Sequence, residues 1–415
     1  MTERRRVVVT GLGAVTPLGN DADSSWQAML AGRSGVARIT LFDPEPFAIR
    51  IAGEVKGFNP CPLINPKEAR RIDRNVHFAV SAAAEALADS QFEITPANSE
   101  DVACVVGTAV GGIKTLLDGQ RVLDERGPDR VGPFVLQHLI PDTASGQIAI
   151  SFRIRGHNLA IVSACATGGH ALGEAAEAIR RGDAVAAVAG GTEAAIVPVV
   201  LAGFTNMRAL TNGNDEPERA SKPFDARRSG FVMSEGAAMM VLEELDHARA
   251  RGATVYAELV GYGSTNDAYD LAAPAESGEG AGRAMVRALR KAALRPDEVD
   301  YINAHGTGTP LNDKFETAAI KSVFGDHAHE LVVTSTKSMT GHMMGAAGAV
   351  EAMVCVRSIV EGVIPPTINL DVPDPDCDLD YAPHEARRRP VRVAMSNSMG
   401  LGGHNSCVVF KRFED

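Results

Sequence analysis

The sequence has 415 residues, of which 45% are hydrophobic and 22% charged, and its formal net charge is -11. This length suits two domains, or one large double domain with a sizeable core. The negative charge argues against nucleic acid as a partner, because phosphate backbones are bound by cationic surfaces. The longest apolar run, around residues 194–204, contains Pro198 and is too short to span a bilayer, so we expect no membrane association.

The cysteines and the N-terminal residues predict the compartment. Six cysteines stand singly, with no CxxC pair, so neither a zinc or other metal site nor a disulfide framework is predicted. The first nine residues run from three arginines directly into a strand pattern, and their apolar part is too short for a secretory signal. We therefore expect a cytoplasmic protein.

In chain order, residues 7–10 predict the first strand, and GLGAVTPLG after it predicts a tight turn. A dinucleotide fingerprint is the alternative interpretation of Gly11 and Gly13, but Pro17 interrupts the helix that it requires. The basic segment 66–74 then predicts the start of a helix that continues through the apolar stretch behind it. Its cations face solvent or form a docking patch for an acidic partner.

Cys165 is the residue around which the predicted chemistry is organised. It follows a short apolar strand at 159–162 and precedes an Ala-rich helical pattern. At such a turn, free backbone N–H groups and the positive end of the helix favour a thiolate. Gly168 and Gly169 leave space in front of the sulfur for a substrate. A buried, unreactive cysteine is the alternative that this segment alone leaves open.

The second half of the chain repeats elements of the first. Segment 335–347 matches the Cys165 segment at a constant offset of 172 residues, which aligns Lys337 with Cys165. Such a repeat predicts two copies of one α/β unit, related by a pseudo-two-fold axis. The matching turns are 27 residues further apart in the first half, which predicts an insertion at about 114–150.

We therefore divide the chain into two halves, residues 1–252 and residues 253–415. The first half carries Cys165 and the insertion, and the second carries the motifs that contain His305 and His342. Residues 365–380 predict a Pro- and Asp-rich surface connector. A calcium loop is its alternative, against which the prolines and the missing glycine turn argue.

Three turns at predicted strand ends carry reactive groups: Cys165, His305 in NAHGTGTP and His342 in KSMTGHMMGAAG. Each histidine alone is compatible with a structural role, but symmetric packing of the repeat would bring all three together. A thiolate with two histidines fits acyl transfer through a covalent thioester, whose oxyanion needs preorganised N–H donors. Two neutral imidazoles would stabilise the enolate oxygen that decarboxylation of a malonyl thioester generates.

Further polar side chains lie close to these turns in the sequence. They are Lys337, Asp313, Glu316 and Glu351, with Thr307 and Thr309 between them. An ion-pair network of the charged groups would fix the orientation of the histidines. The two threonine hydroxyls suit an amide-bearing arm.

Four motifs together resemble one family. They are SACATGG, NAHGTGTPLND, KSMTGHMMGAAGAVEA and NSMGLGGHN. In this order they resemble the β-ketoacyl-[acyl-carrier-protein] synthases of the elongating Cys-His-His type, and also the ketosynthase subunits of type II polyketide systems. The resemblance covers essentially the whole chain. It implies an α/β fold of the thiolase-like, five-layered αβαβα kind with two pseudo-symmetric halves, and a homodimer.

The resemblance also implies an activity and the residues that perform it. An acyl chain on Cys165 would be extended by decarboxylative Claisen condensation with malonyl-[acyl-carrier protein], with no cofactor beyond the carrier's phosphopantetheine. His305 and His342 would form the decarboxylation and condensation pair, and Lys337 would be a structural cation surrounded by Asp313, Glu316 and Glu351. The other implied residues are the oxyanion-hole amides of Cys165 and Leu401, the phosphopantetheine-binding Thr307 and Thr309, the pocket and gate residues Phe134, Phe204, Met399 and Leu401, and the carrier-docking Lys67, Arg70, Arg71 and Arg208.

The last motif departs from the family's usual GFGG, because Leu401 replaces the gating phenylalanine. A non-aromatic gate predicts altered selectivity, and favours a specialised fatty-acid or polyene polyketide pathway. One alternative is the active half of a heterodimer with a chain-length-factor homologue. A non-catalytic partner subunit is disfavoured because Cys165 and both histidines are present, and a coenzyme A thiolase because the last turn lacks a second cysteine.

Overall fold

The structure is a computed structural model that describes residues 5–69 and 71–414. Its strands are β1 (Val7–Val15), β2 (Ala37–Arg38), β3 (Ile51–Ala52), β4 (Val102–Gly107), β5 (Asn158–Leu159), β6 (Ala186–Glu193), β7 (Gly236–Glu244), β8 (Ala257–Asn266), β9 (Tyr301–Asn303), β10 (Val332–Thr334), β11 (Val363–Ile364), β12 (Arg387–Arg388), β13 (Val393–Gly400) and β14 (His404–Lys411). Ten of them pair in the order β5-β4-β6-β7-β1-β8-β14-β13-β9-β10.

The helices cover both faces of these strands. They are α1 (Ala22–Leu30), α2 (Pro66–Ala69), α3 (Arg74–Ser90), α4 (Ile113–Arg126), α5 (Val135–Leu139), α6 (Thr143–Phe152), α7 (Thr167–Arg181), α8 (Pro198–Asn206), α9 (Leu245–Ala250), α10 (Glu279–Ala292), α11 (Pro310–Phe324), α12 (Lys337–Thr340) and α13 (Ala347–Glu361). Within the described ranges, no helix combines the length and the apolar character needed to cross a membrane.

The strand order divides into two groups of five that mirror each other. β5-β4-β6-β7-β1 forms the first group and β8-β14-β13-β9-β10 the second. They meet where β1 and β8 pair antiparallel through Val8–Glu258 and Val9–Ala257. The predicted boundary between residues 252 and 253 lies in the connection between α9 and β8, and it stays a prediction.

Five layers result because the inner strands of the sheet, such as β4, bury both faces. Ala103 and Val105 of β4 face the central core, which contains α7 and α13. Val102 and Cys104 of the same strand face the opposite side, where they pack with α3. On the far side of the second group, α10 and α11 form the corresponding outer layer. The predicted αβαβα arrangement is confirmed.

The internal repeat is real, but its predicted register is wrong. Helices α7 and α13 begin at residues 167 and 347 and end at 181 and 361, so equivalent positions are 180 residues apart. The turns before them share a rare feature at the same offset, with φ of 49° at Ala164 and 44° at Met344. Cys165 therefore corresponds to Gly345, and Lys337 lies on the separate helix α12.

Glycines explain the mistaken register. The predicted offset of 172 rests on glycine matches, and glycines recur wherever backbones approach closely. A Cβ at Gly345 would lie 2.5 Å from the Ala109 nitrogen, and one at Gly169 would lie 2.2 Å from Ser406 Oγ. The size of the insertion changes with the register. The stretch from the end of β4 to the turn before α7 runs from residue 107 to 164, and the matching stretch from the end of β9 to the turn before α13 runs from 303 to 344. The first stretch is longer by 16 residues and not by the predicted 27.

The basic segment and the last turn also differ from prediction. Segment 66–74 is not one helix, because α2 ends at Ala69 and α3 begins at Arg74. Asp73 has extended backbone at the start of α3, and its carboxylate accepts hydrogen bonds from the Thr115 N–H and hydroxyl, both at 3.0 Å. At the other end of the chain, β13 continues to Gly400, so the last turn consists of residues 401–403 alone.

Candidate active site

A cavity of about 480 Å³ reaches Cys165 and collects residues from both halves. Nine residues predicted from the sequence line it: Cys165, Phe204, Arg208, His305, Thr307, Thr309, His342, Met399 and Leu401. Phe231, Phe315 and Met344 also line it, although the sequence did not single them out, and Asp267 lines it as well. The three reactive groups therefore share one space.

Cys165 stands at the entry to the buried helix α7. The turn is strained at Ala164, whose positive φ is unfavourable for a residue with a Cβ. The Ser163 N–H donates to Thr167 Oγ1 at 2.9 Å and holds the turn against the helix. This arrangement holds Cys165 in the turn immediately before the N-terminus of α7.

Two opposing effects act on the Cys165 thiol. Burial raises its pKa to about 12, and the charge of Lys337 opposes this rise. The positive end of α7 acts in the same direction as Lys337. The rise contradicts the resting thiolate expected from the sequence, because removal from water disfavours the charged form. The thiol accordingly needs to lose its proton as it attacks.

His305 and His342 lie edge to face, with ring centroids 5.3 Å apart and planes at 84°. Burial lowers the pKa of both imidazoles well below the ordinary value, and the charge of Lys337 lowers both further. Both rings are therefore neutral at neutral pH. Their Nδ1 atoms are buried and have no hydrogen-bond partner among the described residues, which leaves Nε2 as the nitrogen that can reach a substrate.

Glu316 fixes the turn that carries His305. Its two carboxylate oxygens accept the N–H groups of His305 and Gly306, each at 2.8 Å. Burial raises the pKa of Glu316 to about 7, while these two hydrogen bonds lower it. The loop backbone is thus held by a side chain from α11, so the imidazole has little freedom to move away from the cavity.

Lys337 and Glu351 form an almost fully buried ion pair behind the histidines, with the Lys337 ammonium donating to Glu351 Oε1. Burial raises the pKa of Glu351 to about 7, and the Lys337 charge opposes the rise. Lys337 thereby acts on His305, His342 and Cys165 through its charge, without lining the cavity.

Asp313 does not belong to this ion-pair cluster, contrary to the expectation. Its carboxylate accepts the N–H groups of Phe224 at 2.8 Å and Gly308 at 3.1 Å, and faces Arg228 at 3.8 Å. Closeness to His305 in sequence suggested the wrong neighbours, because α11 carries Asp313 and Glu316 to different parts of the loop. Asp313 instead holds the turn that presents the two threonines.

The threonines face the cavity from this turn. The hydroxyls of Thr307 and Thr309 lie 3.0 Å apart. Arg228 supports the backbone behind them, since its Nε donates to the Thr309 carbonyl at 3.2 Å. The pair thus offers two hydroxyl groups in a fixed position near the mouth of the cavity.

Gly400 brings the last strand against the nucleophile turn. A Cβ at this position would lie 2.9 Å from both the Cys165 nitrogen and the Ser163 carbonyl oxygen. Only glycine permits this approach, which sets the backbone at residues 400–401 beside the Cys165 amide. The expected oxyanion-hole donors, the amides of Cys165 and Leu401, are therefore in neighbouring chain segments.

The turn 401–403 and loop 266–275 form a connected rim over the cavity. The Gly402 N–H donates to the Leu271 carbonyl at 2.8 Å, and Asn266 Nδ2 donates to the Gly402 carbonyl at 2.7 Å. The Asp267 N–H donates to the Gly403 carbonyl at 2.8 Å. A displacement of either segment thus requires the other to move or these bonds to break.

Among the predicted docking residues, Arg208 is exposed and lines the cavity, whereas Lys67 is exposed on α2 and does not line it. Arg70 lies outside the described residues. Arg71 places its guanidinium over the ring of Phe134, 5.0 Å from the centroid. Phe134 is 40% exposed and does not line the cavity of its own chain, so its prediction as pocket wall is wrong for a single chain.

Sequence reasoning missed Glu193, which ends β6. Its carboxylate accepts hydrogen bonds from Thr108 Oγ1 at 2.9 Å, the Ala109 N–H at 2.8 Å and the Gly345 N–H at 3.2 Å. Burial raises its pKa to about 7. A charged residue at the end of a strand made of small apolar residues was the signal that could have identified it.

Comparison with known proteins agrees with this geometry. Residues 4–248 match the model of the β-ketoacyl synthase N-terminal domain, and residues 256–371 match that of its C-terminal domain. The chain is 49% identical over 412 residues to the 3-oxoacyl-[acyl-carrier-protein] synthase 2 of Synechocystis sp., covering 99% of each protein. It is 48% identical to the Staphylococcus aureus enzyme of the same name, covering 100% of each.

Solved structures are similar over the same length. The ishigamide ketosynthase/chain length factor has a TM-score of 0.92 at 35% identity, covering 99% of this chain and 100% of that one. A type II polyketide ketosynthase in complex with its acyl-carrier protein also has a TM-score of 0.92, at 32% identity, with the same coverage. The chain therefore belongs to the β-ketoacyl synthase family.

Proposed function

We propose that this protein is a 3-oxoacyl-[acyl-carrier-protein] synthase that extends a Cys165-bound acyl chain by decarboxylative Claisen condensation with malonyl-[acyl-carrier protein]. One observation carries the proposal: a thiol at the start of a buried helix shares a cavity with two buried, neutral imidazoles. Thiol and imidazoles have different tasks in this chemistry. No resident cofactor has a part in it.

In the first step, Cys165 Sγ attacks the thioester carbonyl of an acyl-carrier protein. The oxyanion of the tetrahedral intermediate is held by the amides of Cys165 and Leu401, which lie in neighbouring segments. The bond to the pantetheine sulfur breaks, and the thiol proton leaves with that sulfur. An acyl-enzyme and a free carrier thiol result.

In the second step, the two imidazoles act on malonyl-carrier protein. Nε2–H groups of neutral His305 and His342 donate to the thioester oxygen, which becomes an enolate oxygen as CO2 departs. The enolate carbon then attacks the carbonyl carbon of the Cys165 thioester, and the Cys165 sulfur leaves as the thiolate while the 3-oxoacyl chain stays on the carrier. The thiolate takes up one proton from water and becomes the thiol again. Thr307 and Thr309 would bind the amides of the phosphopantetheine arm throughout.

The carrier protein is the partner that this chemistry requires. Among the candidates for docking, Arg208 is exposed and lines the cavity, and Lys67 and Arg71 are exposed in the basic segment 66–74. Their positive charge suits an acidic carrier, even though the protein as a whole is negative. We place the reaction in the cytoplasm, where such carriers are used.

An apolar surface supports a dimer. Strand β5 is at the edge of the sheet, and several exposed apolar side chains lie on it and on segments between residues 116 and 199. They are Leu116, Leu123, Leu136, Ile140, Ile150, Leu159, Val162 and Val199, between 39% and 73% exposed. An exposed edge strand with apolar neighbours favours pairing with a second chain. We propose a homodimer, with a chain-length-factor homologue as the alternative partner, and native mass spectrometry of the expressed protein distinguishes the two.

The gate residues Met399 and Leu401 provide information about the biosynthetic pathway that supplies the acyl substrate. Leu401 is 37% exposed and Met399 lines the cavity behind it, so no aromatic ring closes this side. We propose an acyl substrate of specialised fatty-acid or polyene polyketide biosynthesis. The mass of the acyl group trapped on Cys165 in the producing cell identifies it.

The division of labour is tested with Cys165→Gln. We expect this variant to lose acyl transfer by about 10³-fold or more while it still releases CO2 from malonyl-carrier protein, because the imidazoles remain. Loss of both activities in the folded variant contradicts the separate tasks of the thiol and the imidazoles.

A coenzyme A thiolase is the second candidate, and it needs a second reactive cysteine. Cys407 is fully buried in β14 and does not line the cavity. Turnover with acetyl-coenzyme A alone, without malonyl-carrier protein, would favour the thiolase.

A further inference from the structure

His170 lies on α7, five residues after Cys165, and has contacts on both ring nitrogens. Its Nδ1 is 2.7 Å from Ser163 Oγ. Its Nε2 is 3.2 Å from the Asn405 carbonyl oxygen and 3.1 Å from Ser264 Oγ. The side chain is 7% exposed and is not part of the cavity wall. The proposed condensation has no step that uses it.

The partners determine the tautomer of this imidazole. A carbonyl oxygen only accepts, so Nε2 carries the hydrogen and donates it to Asn405. Nδ1 is then the acceptor, and the Ser163 hydroxyl donates to it. Burial lowers the pKa of His170 to about 4, so the ring stays neutral and keeps this orientation at neutral pH.

The Ser163 hydrogen bond acts on the turn that carries the nucleophile. Ser163 precedes the strained Ala164, whose φ is 49°. Such a conformation persists only where surrounding contacts hold it in place. Ser163 supplies two of these contacts, through its N–H to Thr167 Oγ1 and through its hydroxyl to His170.

The Asn405 hydrogen bond leads to the rim of the cavity. Asn405 is the second residue after turn 401–403, and its side-chain amide donates to Asp267 Oδ1 at 2.6 Å and to the Gly403 carbonyl at 3.1 Å. The Asp267 carboxylate in turn accepts the Ala275 N–H at 3.1 Å, and this hydrogen bond joins the two ends of loop 266–275. A continuous chain of hydrogen bonds thus joins the nucleophile turn to the rim.

We propose that His170 is a positioning residue. It holds Cys165 for attack through Ser163, and it connects the nucleophile turn to the rim through Asn405. It acts through these two residues and does not touch substrate. The turnover readouts rest on the proposed function. Alkylation of Cys165 and hydrogen exchange do not, so failure of one claim is distinguishable from failure of the other.

Two amide variants separate the two ends of the ring. In His170→Asn the side-chain oxygen falls near the Nδ1 position and still accepts from Ser163, while the link to Asn405 is lost. In His170→Gln the amide nitrogen reaches towards the Nε2 position and still donates to Asn405, while the link to Ser163 is lost. Ser163→Ala removes the first link from its other side.

We expect His170→Gln and Ser163→Ala to lower the rate of Cys165 alkylation by iodoacetamide, and kcat with a carrier substrate, by about tenfold with KM unchanged. The double variant loses no more than either single one, and His170→Asn stays within twofold of the parent, as expected if one shared bond carries the effect. Hydrogen exchange at residues 266–275 rises in His170→Asn and not in His170→Gln.

Three results overturn the proposal. The first is an alkylation rate in His170→Gln equal to that of the parent. The second is an equal loss in both amide variants that follows their thermal midpoints, which indicates packing alone. The third, unchanged hydrogen exchange at 266–275 in His170→Asn, removes the tie to the rim. Absence of turnover in the parent, with the alkylation pattern intact, contradicts the proposed function instead.

Discussion

The two halves contain the same turn and use it differently. Ala164 and Met344 have nearly the same positive φ, and each turn leads into a fifteen-residue helix. In the second half the turn is sealed by Glu193, whose buried carboxylate accepts the Gly345 N–H. Met344 itself is 2% exposed and contributes only to the cavity wall. In the first half, the residue equivalent to Gly345 is Cys165, which faces a cavity.

The difference shows how a duplicated fold acquires one nucleophile site. A helix N-terminus stabilises negative charge wherever it occurs. In the second half, the Glu193 carboxylate already occupies the amide at this helix start, so the turn serves only to stabilise the fold. In the first half the helix start is left available for charge that develops on a substrate. Four substitutions act on this contrast, from the largest expected effect to the smallest.

Lys337→Met tests the buried charge that serves the first turn. Removing the ammonium leaves Glu351 buried without its ion-pair partner, and we expect a loss of about 3–5 kcal/mol in the free energy of unfolding. Urea denaturation followed by circular dichroism measures it. The double variant with Glu351→Leu should recover most of the loss, and a double variant no more stable than Lys337→Met would contradict the pairing.

Gly400→Ala tests the approach of the last strand to Cys165. The added Cβ meets backbone atoms of Ser163 and Cys165 at 2.9 Å, so the turn must shift. We expect acylation of Cys165 to slow by about 100-fold, as displacements of about 1 Å do at reacting centres. Gly146→Ala in α6 is the matched control, because its added Cβ would have no atom of the described residues within 4 Å apart from its chain neighbours and the adjacent backbone of its own helix. Equal acylation in the two variants would refute the prediction.

Glu193→Gln tests the sealed turn of the second half. Because the pKa of Glu193 is raised to about 7 in the folded protein, the unfolded chain releases the proton first as pH rises. The contribution of this group to stability is therefore present below about pH 4.5 and is lost as pH rises to about 7.

We expect the free energy of unfolding, measured by urea at several pH values, to fall less steeply over this interval in Glu193→Gln than in the parent. At low pH the variant should be less stable by about 1–3 kcal/mol, since the added amide N–H group faces backbone donors. Identical pH slopes would mean that Glu193 does not titrate with folding.

Leu401→Phe tests the rim, which segments of the second half form over the cavity. A larger ring on this exposed turn should change the preference among acyl chain lengths by about tenfold or less, because an apolar pocket discriminates weakly. Competition between carrier proteins loaded with short and long acyl chains measures it, with thermal midpoints as the control for folding. A preference identical to that of the parent would exclude this residue from selectivity.

Local sequence patterns predicted the reactive groups and the two α/β halves. Cys165, His305 and His342 were predictable because each lies in a turn of small residues after a strand pattern, and parallel strand ends meet at one edge. The two halves followed from the repeat, although its register was wrong by eight residues because glycines matched for reasons of close packing. The five layers were implied by the family resemblance.

Contacts between distant segments were not predictable. Glu193 accepts hydrogen bonds from the N–H groups of Ala109 and Gly345, which are 84 and 152 residues away in the sequence. His170 bonds to Asn405, which is 235 residues away. Asp313 was assigned wrongly for the same reason, since three residues along α11 move a side chain to another part of the loop. The pKa of Cys165 likewise depends on burial, which a single segment does not reveal.

The central claim is that the first turn alone accepts the acyl group. Incubation of the purified protein with an acyl-carrier protein, followed by peptide mapping by mass spectrometry, tests it directly. We predict that the acyl mass is found on the peptide containing Cys165 and that it is absent from the Cys165→Ala variant. An acyl group on any other cysteine, or one retained by that variant, would contradict the account.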